Sequence, residues 1–183
     1  TVYLRKLNVK LIPPPPHVNF EGGDTVTAWT ETRSKKTIFV GQRSQKSPRT
    51  NRAAYDWVKE HGERLGHTVI PVPFERCLHL STGASFIGTG RGTSKPVIVF
   101  NPDWVDPEPF SSAGFQVVPV GLGEPFAANL VRLGENGKVV IRSDAQQLDT
   151  QLRKIGFETQ PHQWDQMATG EGGFTCCLNP VEG

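Results

Sequence analysis

The sequence has 183 residues, of which 36% are hydrophobic and 21% charged, and its formal net charge is +2. This composition is typical of one globular domain, excludes a largely disordered chain and, without a long run of one sign, argues against a nucleic-acid-binding surface. No apolar run approaches the length of a membrane span and the first residues lack the pattern of a signal peptide, so we expect a soluble, cytoplasmic protein with no membrane contact.

The first sixteen residues predict the end of a helix, a strand and a proline-rich exit, so we expect the chain to begin within a fold. Residues 25–30 and 37–41 are rich in β-branched and aromatic side chains around a polar turn, which predicts a β-hairpin. A helix with Thr50 or Asn51 as its N-cap and Gly66 as its end follows. A strand comes next, giving the order strand, strand, helix, strand.

The same order recurs twice along the chain. The second round has a strand in CLHLSTGASFIGTG, a second strand, a short helix and a third strand. The third has a hairpin around residues 135–137 and a helix capped at Ser143 or Asp144 and ended by Gly156. This spacing is typical of a propeller-like array. The predicted units of this single domain cover residues 24–72, 79–120 and 128–160, with a partial first strand of a further unit at 174–181.

Two stretches carry side chains suited to acid–base chemistry. In FEGGD, two glycines after Glu21 allow a tight turn and a strand then carries Asp24 into the sheet, although the same pattern is typical of an ordinary acidic turn. In CLHLST, His79 lies between two leucines on a predicted strand, so alternation places its ring on the face opposite them. Such a histidine is either a hydrogen-bonded structural residue or a catalytic one that faces a groove.

The three cysteines are an odd number, and Cys176 and Cys177 are adjacent, which argues against a disulfide framework and favours a reducing compartment. Their spacing, with five histidines, is not typical of zinc ligands, so we expect no metal site. Cys177 and Cys77 are expected in the core as small apolar side chains. Cys176 begins the last predicted strand after a glycine-rich loop, where a substrate can approach it.

Glu21, His79 and Cys176 fall near the beginnings of three different units. First strands line the channel of a pseudo-symmetric ring, so a carboxylate, an imidazole and a thiol are predicted to converge there. Together they make a set suited to covalent catalysis.

The ordered set FEGGD, FVG…RTN, LHL and GGFTCC resembles the guanidine-modifying superfamily, and within it most the dimethylarginine dimethylaminohydrolases. The resemblance runs from about Leu11 to Pro180. It implies an α/β fold, a five-bladed α/β propeller of strand-strand-helix-strand units, with the reaction in its central channel. About three of those units would lie in this chain.

The resemblance also implies roles for individual residues. Cys176 matches the nucleophile, His79 the general acid and base, and Glu21 the carboxylate beside the histidine. Arg49 matches an arginine that binds the substrate carboxylate, and Asp24 is assigned to substrate binding. The implied reaction converts a methylated arginine into citrulline and an amine without a cofactor.

Two departures from the family leave alternatives open. Ser81 stands where arginine deiminases and amidinotransferases carry an aspartate, which favours methylated arginine as the substrate, and an insertion precedes Arg49. The family's first half supplies further carboxylates, and this sequence has no counterpart of it before Thr1. We therefore expect a partner chain or a missing N-terminal segment to complete the ring around the small guanidine substrate. A non-catalytic propeller remnant or half-enzyme within a larger assembly, an amidinotransferase and an arginine deiminase are the alternatives.

Overall fold

The computed structural model describes residues 12–30, 34–44, 49–134, 137–164 and 173–177, without the side chains of Cys176 and Cys177. The predicted elements before residue 12, residues 45–48 of the insertion QRSQKSP, part of the third hairpin turn and the part of the strand predicted at 174–181 that lies beyond 177 are therefore outside the described residues.

The described chain forms three three-stranded sheets, each built from consecutive strands. In every sheet the first two strands are antiparallel and the third pairs parallel to the second after a crossover helix. The predicted α/β fold of strand-strand-helix-strand units is confirmed. The strands are β1 (Thr25–Ala28), β2 (Thr37–Gln42), β3 (Thr68–Pro73), β4 (Ala84–Gly88), β5 (Val97–Phe100), β6 (Gln116–Pro119), β7 (Val131–Arg132), β8 (Val139–Arg142) and β9 (Thr159–His162).

The helices begin and end at residues that local chemistry explains only in part. The first helix is capped by Asn51, whose side chain accepts a hydrogen bond from the backbone N–H of Ala54 at 2.9 Å, as predicted. It is followed by Gly66 in the left-handed region at a φ of 80°. The helices are α1 (Arg52–Arg64), α2 (Leu80–Gly83), α3 (Glu108–Ser112), α4 (Gln146–Lys154) and α5 (Phe174–Cys177), and a 3₁₀ turn covers Gly22–Asp24.

Neighbouring units share their cores. The first and second units share a cluster in which the ring of Phe39 meets those of Phe110 and Phe115 edge to face, at centroid distances of 4.7 and 5.6 Å. The second and third share another cluster, which includes Val99 and Leu148. Packing between units therefore fixes where the start of each unit lies relative to the next. A third, smaller cluster between α1 and the first sheet comprises Val40, Tyr55 and Val69.

Three expectations about local structure are wrong. His79 does not lie on a strand: it is the extended residue directly before α2, and β4 begins only at Ala84. Asp24 is the last residue of the 3₁₀ turn and is not on a strand. Cys176 lies in the short helix α5 and does not begin a strand.

The cap predicted for the third helix is also wrong. The N-cap of α4 is Ala145, without a side-chain bond, and the carboxylate of Glu124 accepts the N–H groups of Gln147 and Leu148 instead. Asp144 cannot serve as the cap because its carboxylate hydrogen-bonds to Arg142.

Among the residues described, no helix has both the length and the apolar character needed to cross a membrane.

Candidate active site

Glu21 and His79 form a direct side-chain contact. Glu21 precedes the 3₁₀ turn and His79 precedes α2, so a short helical turn follows each residue. With its proton on Nε2, His79 donates a hydrogen bond to Oε2 of Glu21. The side chains are 19% exposed for His79 and 38% exposed for Glu21, so the pair is accessible from the surface. A carboxylate so placed orients the imidazole and stabilises its protonated form.

Gly23 lets the imidazole ring lie directly against the backbone of the 3₁₀ turn. A Cβ atom at Gly23 would lie 2.7 Å from Cγ and 2.9 Å from Nδ1 of His79, whereas one at Gly22 would meet nothing within 4 Å. The second glycine of FEGGD therefore has a steric role in the site that the first does not share.

Asp24 ties the 3₁₀ turn to the start of α2. Its side chain is buried, and Oδ1 accepts a hydrogen bond from the backbone N–H of Leu80 at 3.2 Å. Since Leu80 directly follows His79 and Asp24 ends the turn that follows Glu21, this bond fixes the position of His79 relative to Glu21. The assignment of Asp24 to substrate binding stays a prediction.

The RTN stretch contacts the segment that carries Glu21. The hydroxyl of buried Thr50 accepts a hydrogen bond from the backbone N–H of Glu21 at 3.1 Å, and Asn51 donates through Nδ2 to the carbonyl of His17 at 2.9 Å. Arg49 Nη1 lies 3.4 Å from Oε2 of Glu21, and the Arg49 side chain is 52% exposed. Arg49 is thus beside the Glu21–His79 pair with half of its side-chain surface open to solvent.

The pKa of Glu21 is held below its ordinary value. The largest cause is the hydrogen bond from His79, and the positive charge of Arg49 lowers the pKa further. Partial burial acts in the opposite direction but does not outweigh these contacts. Glu21 is therefore ionised at neutral pH, as a partner for an imidazolium must be.

Two further side chains hold the segment before His79. The buried thiol of Cys77 donates to the carbonyl of His79 at 3.3 Å, which agrees with the core position expected for Cys77. Arg43 donates to the carbonyl of Leu78 at 2.9 Å and lies 4.5 Å above the ring of Phe74. The backbone around the imidazole is thus held by a thiol of the same segment and by Arg43 from the first unit.

The segment that carries Cys176 is anchored to the third unit. Oδ1 of Asn129 accepts hydrogen bonds from the backbone N–H and the hydroxyl of Thr175, at 3.0 and 3.2 Å. The rings of Trp164 and Phe174 are 4.3 Å apart at their centroids. The position of the Cys176 thiol lies outside the described residues, so its approach to His79 stays a prediction.

The structure therefore brings together Glu21, His79 and Arg49 and places Asp24 directly behind them. Sequence reasoning missed the supporting roles of Thr50, which it treated only as a helix cap, and of Asn129. Among the described residues, no group of three or more His, Cys, Asp or Glu side chains is arranged to hold a metal ion.

Comparison with known proteins supports the resemblance at the level of the fold. The chain superposes on the dimethylarginine dimethylaminohydrolase (DDAH) of Pseudomonas aeruginosa, crystallised with citrulline, with a TM-score of 0.70. The two are 16% identical, and the match covers 96% of this chain and 63% of that one. It superposes on the cyanobacterial arginine dihydrolase ArgZ with a TM-score of 0.73 at 17% identity, over 96% of this chain and 27% of that one. The inosamine-phosphate amidinotransferase of Streptomyces griseus gives 0.59 at 17% identity, over 88% and 46%.

These neighbours belong to the guanidine-modifying amidinotransferase superfamily, so the fold predicted from the ordered motifs is confirmed. No family model matches the sequence. An uncharacterized protein from Aeropyrum pernix is 25% identical over 178 residues, which are 97% of this chain and 59% of that protein. The chain thus spans about three fifths of the length of this relative and of the DDAH structure.

Proposed function

We propose that the chain carries the catalytic residues of a hydrolase acting on the guanidinium carbon of arginine derivatives, with a methylated arginine as substrate and citrulline and an amine as products. The observation that carries the proposal is the hydrogen-bonded Glu21–His79 pair, held by Gly23 and Asp24 in a fold shared with DDAH and an arginine dihydrolase. Ser81, in place of an aspartate, favours the methylated substrate.

In the first step the thiolate of Cys176 attacks the central carbon of the guanidinium and a C–S bond forms. The C–N bond to the substituted nitrogen then breaks, and imidazolium His79 gives its proton to the departing amine. The product of this step is a covalent S-alkylthiouronium on Cys176. Because Glu21 is ionised and hydrogen-bonded to the ring, it stabilises the imidazolium that delivers the proton.

In the second step neutral His79 takes a proton from water, whose oxygen attacks the thiouronium carbon. The C–S bond breaks, the thiolate of Cys176 is regenerated, the remaining hydroxyl proton of the adduct passes to solvent and the ureido product leaves. Since Nε2 of His79 is engaged by Glu21, both proton transfers are assigned to Nδ1. No cofactor enters either step.

Arg49 is proposed to bind the substrate carboxylate. Its ion pair with Glu21 is long, at 3.4 Å, and half exposed, so it is weak, and the planar guanidinium has further donors for a bidentate contact. Asp24 is proposed to contribute to substrate binding through the position of the 3₁₀ turn. A partner chain or a further segment of chain is proposed to complete the ring and to supply additional carboxylates around the guanidinium.

Selective alkylation tests this proposal directly. The chain is treated with 2-chloroacetamidine, which mimics a guanidinium, and in parallel with iodoacetamide, and the labelled cysteines are assigned by fragmentation of the peptides. We expect rapid chloroacetamidine labelling confined to Cys176 and suppressed by dimethylarginine. Labelling of Cys176 that is no faster than that of Cys77 and Cys177 would contradict a working site in this chain.

A substrate panel then separates the reactions. Dimethylarginine, arginine and agmatine are each incubated with the chain, and the ureido product and released amine are measured by mass spectrometry. Citrulline formed only from the methylated arginine supports the proposal, whereas turnover of unsubstituted arginine would identify a deiminase. Transfer of the amidino group to an added amine would identify an amidinotransferase.

A further inference from the structure

Asn129 lies where the third unit meets the segment that carries Cys176. It follows a turn at residues 125–128 and comes shortly before β7, and it is only 2% exposed. Its Oδ1 atom is the acceptor for both the backbone N–H and the hydroxyl of Thr175. Since Thr175 directly precedes Cys176, one buried amide fixes the orientation of the chain as it enters the cysteine position.

Gly173 makes this close contact possible. A Cβ atom at Gly173 would lie 2.1 Å from Cγ of Asn129, a separation that no side chain can adopt. The backbone of the segment therefore lies directly on the asparagine amide. Gly173, in the loop before the cysteines, is thus required for the backbone to lie against the side chain of Asn129.

The amide of Asn129 has one orientation, because only its oxygen can accept the two donors of Thr175. The Nδ2 group consequently has no hydrogen-bond partner among the described residues. A buried N–H without an acceptor is unfavourable for stability. The presence of an asparagine here is therefore better explained by its two hydrogen bonds from Thr175 than by a contribution to the stability of the core.

The same junction is connected to the histidine segment. The backbone N–H of Leu130 donates to Oγ of Ser85 at 3.3 Å. Ser85 is the second residue of β4, which directly follows α2 and therefore His79. Residues 129 and 130 thus contact the segments of both the proposed nucleophile and the proposed acid–base group.

From these contacts we infer that Asn129 is a positioning residue for Cys176, which sets the place of the thiol relative to the His79 segment. The inference rests on the proposed role of Cys176 as the nucleophile. Asn129 acts through the backbone and hydroxyl of Thr175, and it is not assigned to the reaction itself.

The test uses Asn129→Ala, which removes the acceptor, and Thr175→Val, which removes only one of its two donors. Thr159→Val is the matched control: it removes the hydroxyl of a buried threonine in the third unit, which is hydrogen-bonded to Asp149. For each protein the rate of Cys176 labelling by 2-chloroacetamidine is divided by its rate with iodoacetamide. Amide hydrogen exchange at Thr175 is measured alongside.

We expect the labelling ratio to fall about tenfold in Asn129→Ala and about threefold in Thr175→Val, and to stay within about twofold in the control. Exchange at the Thr175 amide becomes faster in Asn129→Ala because its acceptor is gone. Adding Thr175→Val to Asn129→Ala gives no further loss, since both act through one contact.

An unchanged ratio in folded Asn129→Ala, or unchanged exchange at Thr175, would overturn the inference. If Asn129→Ala does not fold, Thr175→Val decides, and a ratio within about twofold of the parent overturns it. If chloroacetamidine shows no preference for Cys176 in the parent, the proposed function fails separately. The pH midpoint of Cys176 alkylation by iodoacetamide then decides the inference: a rise of about half a pH unit or more in Asn129→Ala supports it, and no shift overturns it.

Discussion

Gly23 and His79 are in contact so close that the residue at position 23 determines where the imidazole lies. Because a Cβ at this position would come within 2.7 Å of the ring, Gly23→Ala must displace His79 from Glu21 or shift the 3₁₀ turn. Misplacement of a catalytic group by about 1 Å can cost on the order of 100-fold in rate. We expect Gly23→Ala to lower kcat by about that factor.

Gly22→Ala is the matched control for this prediction, because a Cβ at Gly22 meets nothing within 4 Å. Its kcat should stay within about twofold of the parent, since no atom has to move. Equal losses in the two variants would mean that the turn needs glycine for its backbone alone. The steric role assigned to Gly23 would then be wrong.

His79→Ala tests the proposed proton transfers. A positioned general acid or base contributes roughly 100- to 10,000-fold to a rate, so we expect turnover of the methylated arginine to fall by that amount. His61→Ala is the control, because His61 lies on α1, where its ring hydrogen-bonds to the backbone carbonyl of Trp57 and takes no part in the Glu21–His79 pair. A loss below about tenfold in His79→Ala would refute the assigned role.

The lowered pKa of Glu21 predicts a specific dependence of stability on pH. A carboxyl group whose pKa is lower in the folded state than its ordinary value of 4.5 stabilises the fold above pH 4.5, and this contribution is lost as the pH falls through the folded-state pKa. We therefore expect Glu21→Gln to lower Tm at pH 7 by at most about 3 °C, because the group is partly exposed. The difference from the parent should shrink below pH 4.5.

Glu75→Gln provides the comparison, since hydrogen bonds from Ser44 also lower the pKa of Glu75. Thermal unfolding between pH 3 and pH 7 should give a similar loss and a similar pH dependence for both variants. Only Glu21→Gln should also reduce turnover. A Tm difference for Glu21→Gln that grows as the pH falls would have the wrong sign.

Arg49→Lys separates substrate binding from support of Glu21. Lysine keeps the charge but cannot form a bidentate contact, so we expect KM for dimethylarginine to rise about tenfold with kcat nearly unchanged. Arg52→Lys, at an exposed arginine paired with Asp56 on α1, should leave both constants within about twofold. A fall in kcat with unchanged KM would instead assign Arg49 to the Glu21–His79 pair.

Much of the fold could be predicted because its signals are local. Runs such as TIFVGQ and VIVF contain the β-branched and aromatic residues that strands favour, and Asn51 caps the helix beside it. The strand assigned to His79 failed for a long-range reason: α2 has only four residues, and its first N–H is held by Asp24, 56 residues earlier in the chain. No pattern around LSTG indicates that partner.

The supporting residues of the site were hidden for the same reason. Asn129 and Thr175 are 46 residues apart, and Thr50 and Glu21 are 29 apart, so neither pair creates a periodicity that a sequence can reveal. At the N-terminus of α4, by contrast, a local signal was present but misleading. Asp144 has the right chemistry for a cap, but Arg142 occupies its carboxylate, and Glu124 reaches the helix from a distant loop.

The cores shared between neighbouring units have a consequence for how the chain folds. Because the second unit contributes to both large clusters, it cannot lose its structure without exposing the apolar faces of the first and the third. Among the described residues, the first and third units each share one such cluster with the second, as neighbouring units do in an array with nearest-neighbour coupling. Loss of structure in the second unit should therefore release both neighbours. It would also separate Glu21 from His79, whose hydrogen bond joins the first unit to the second.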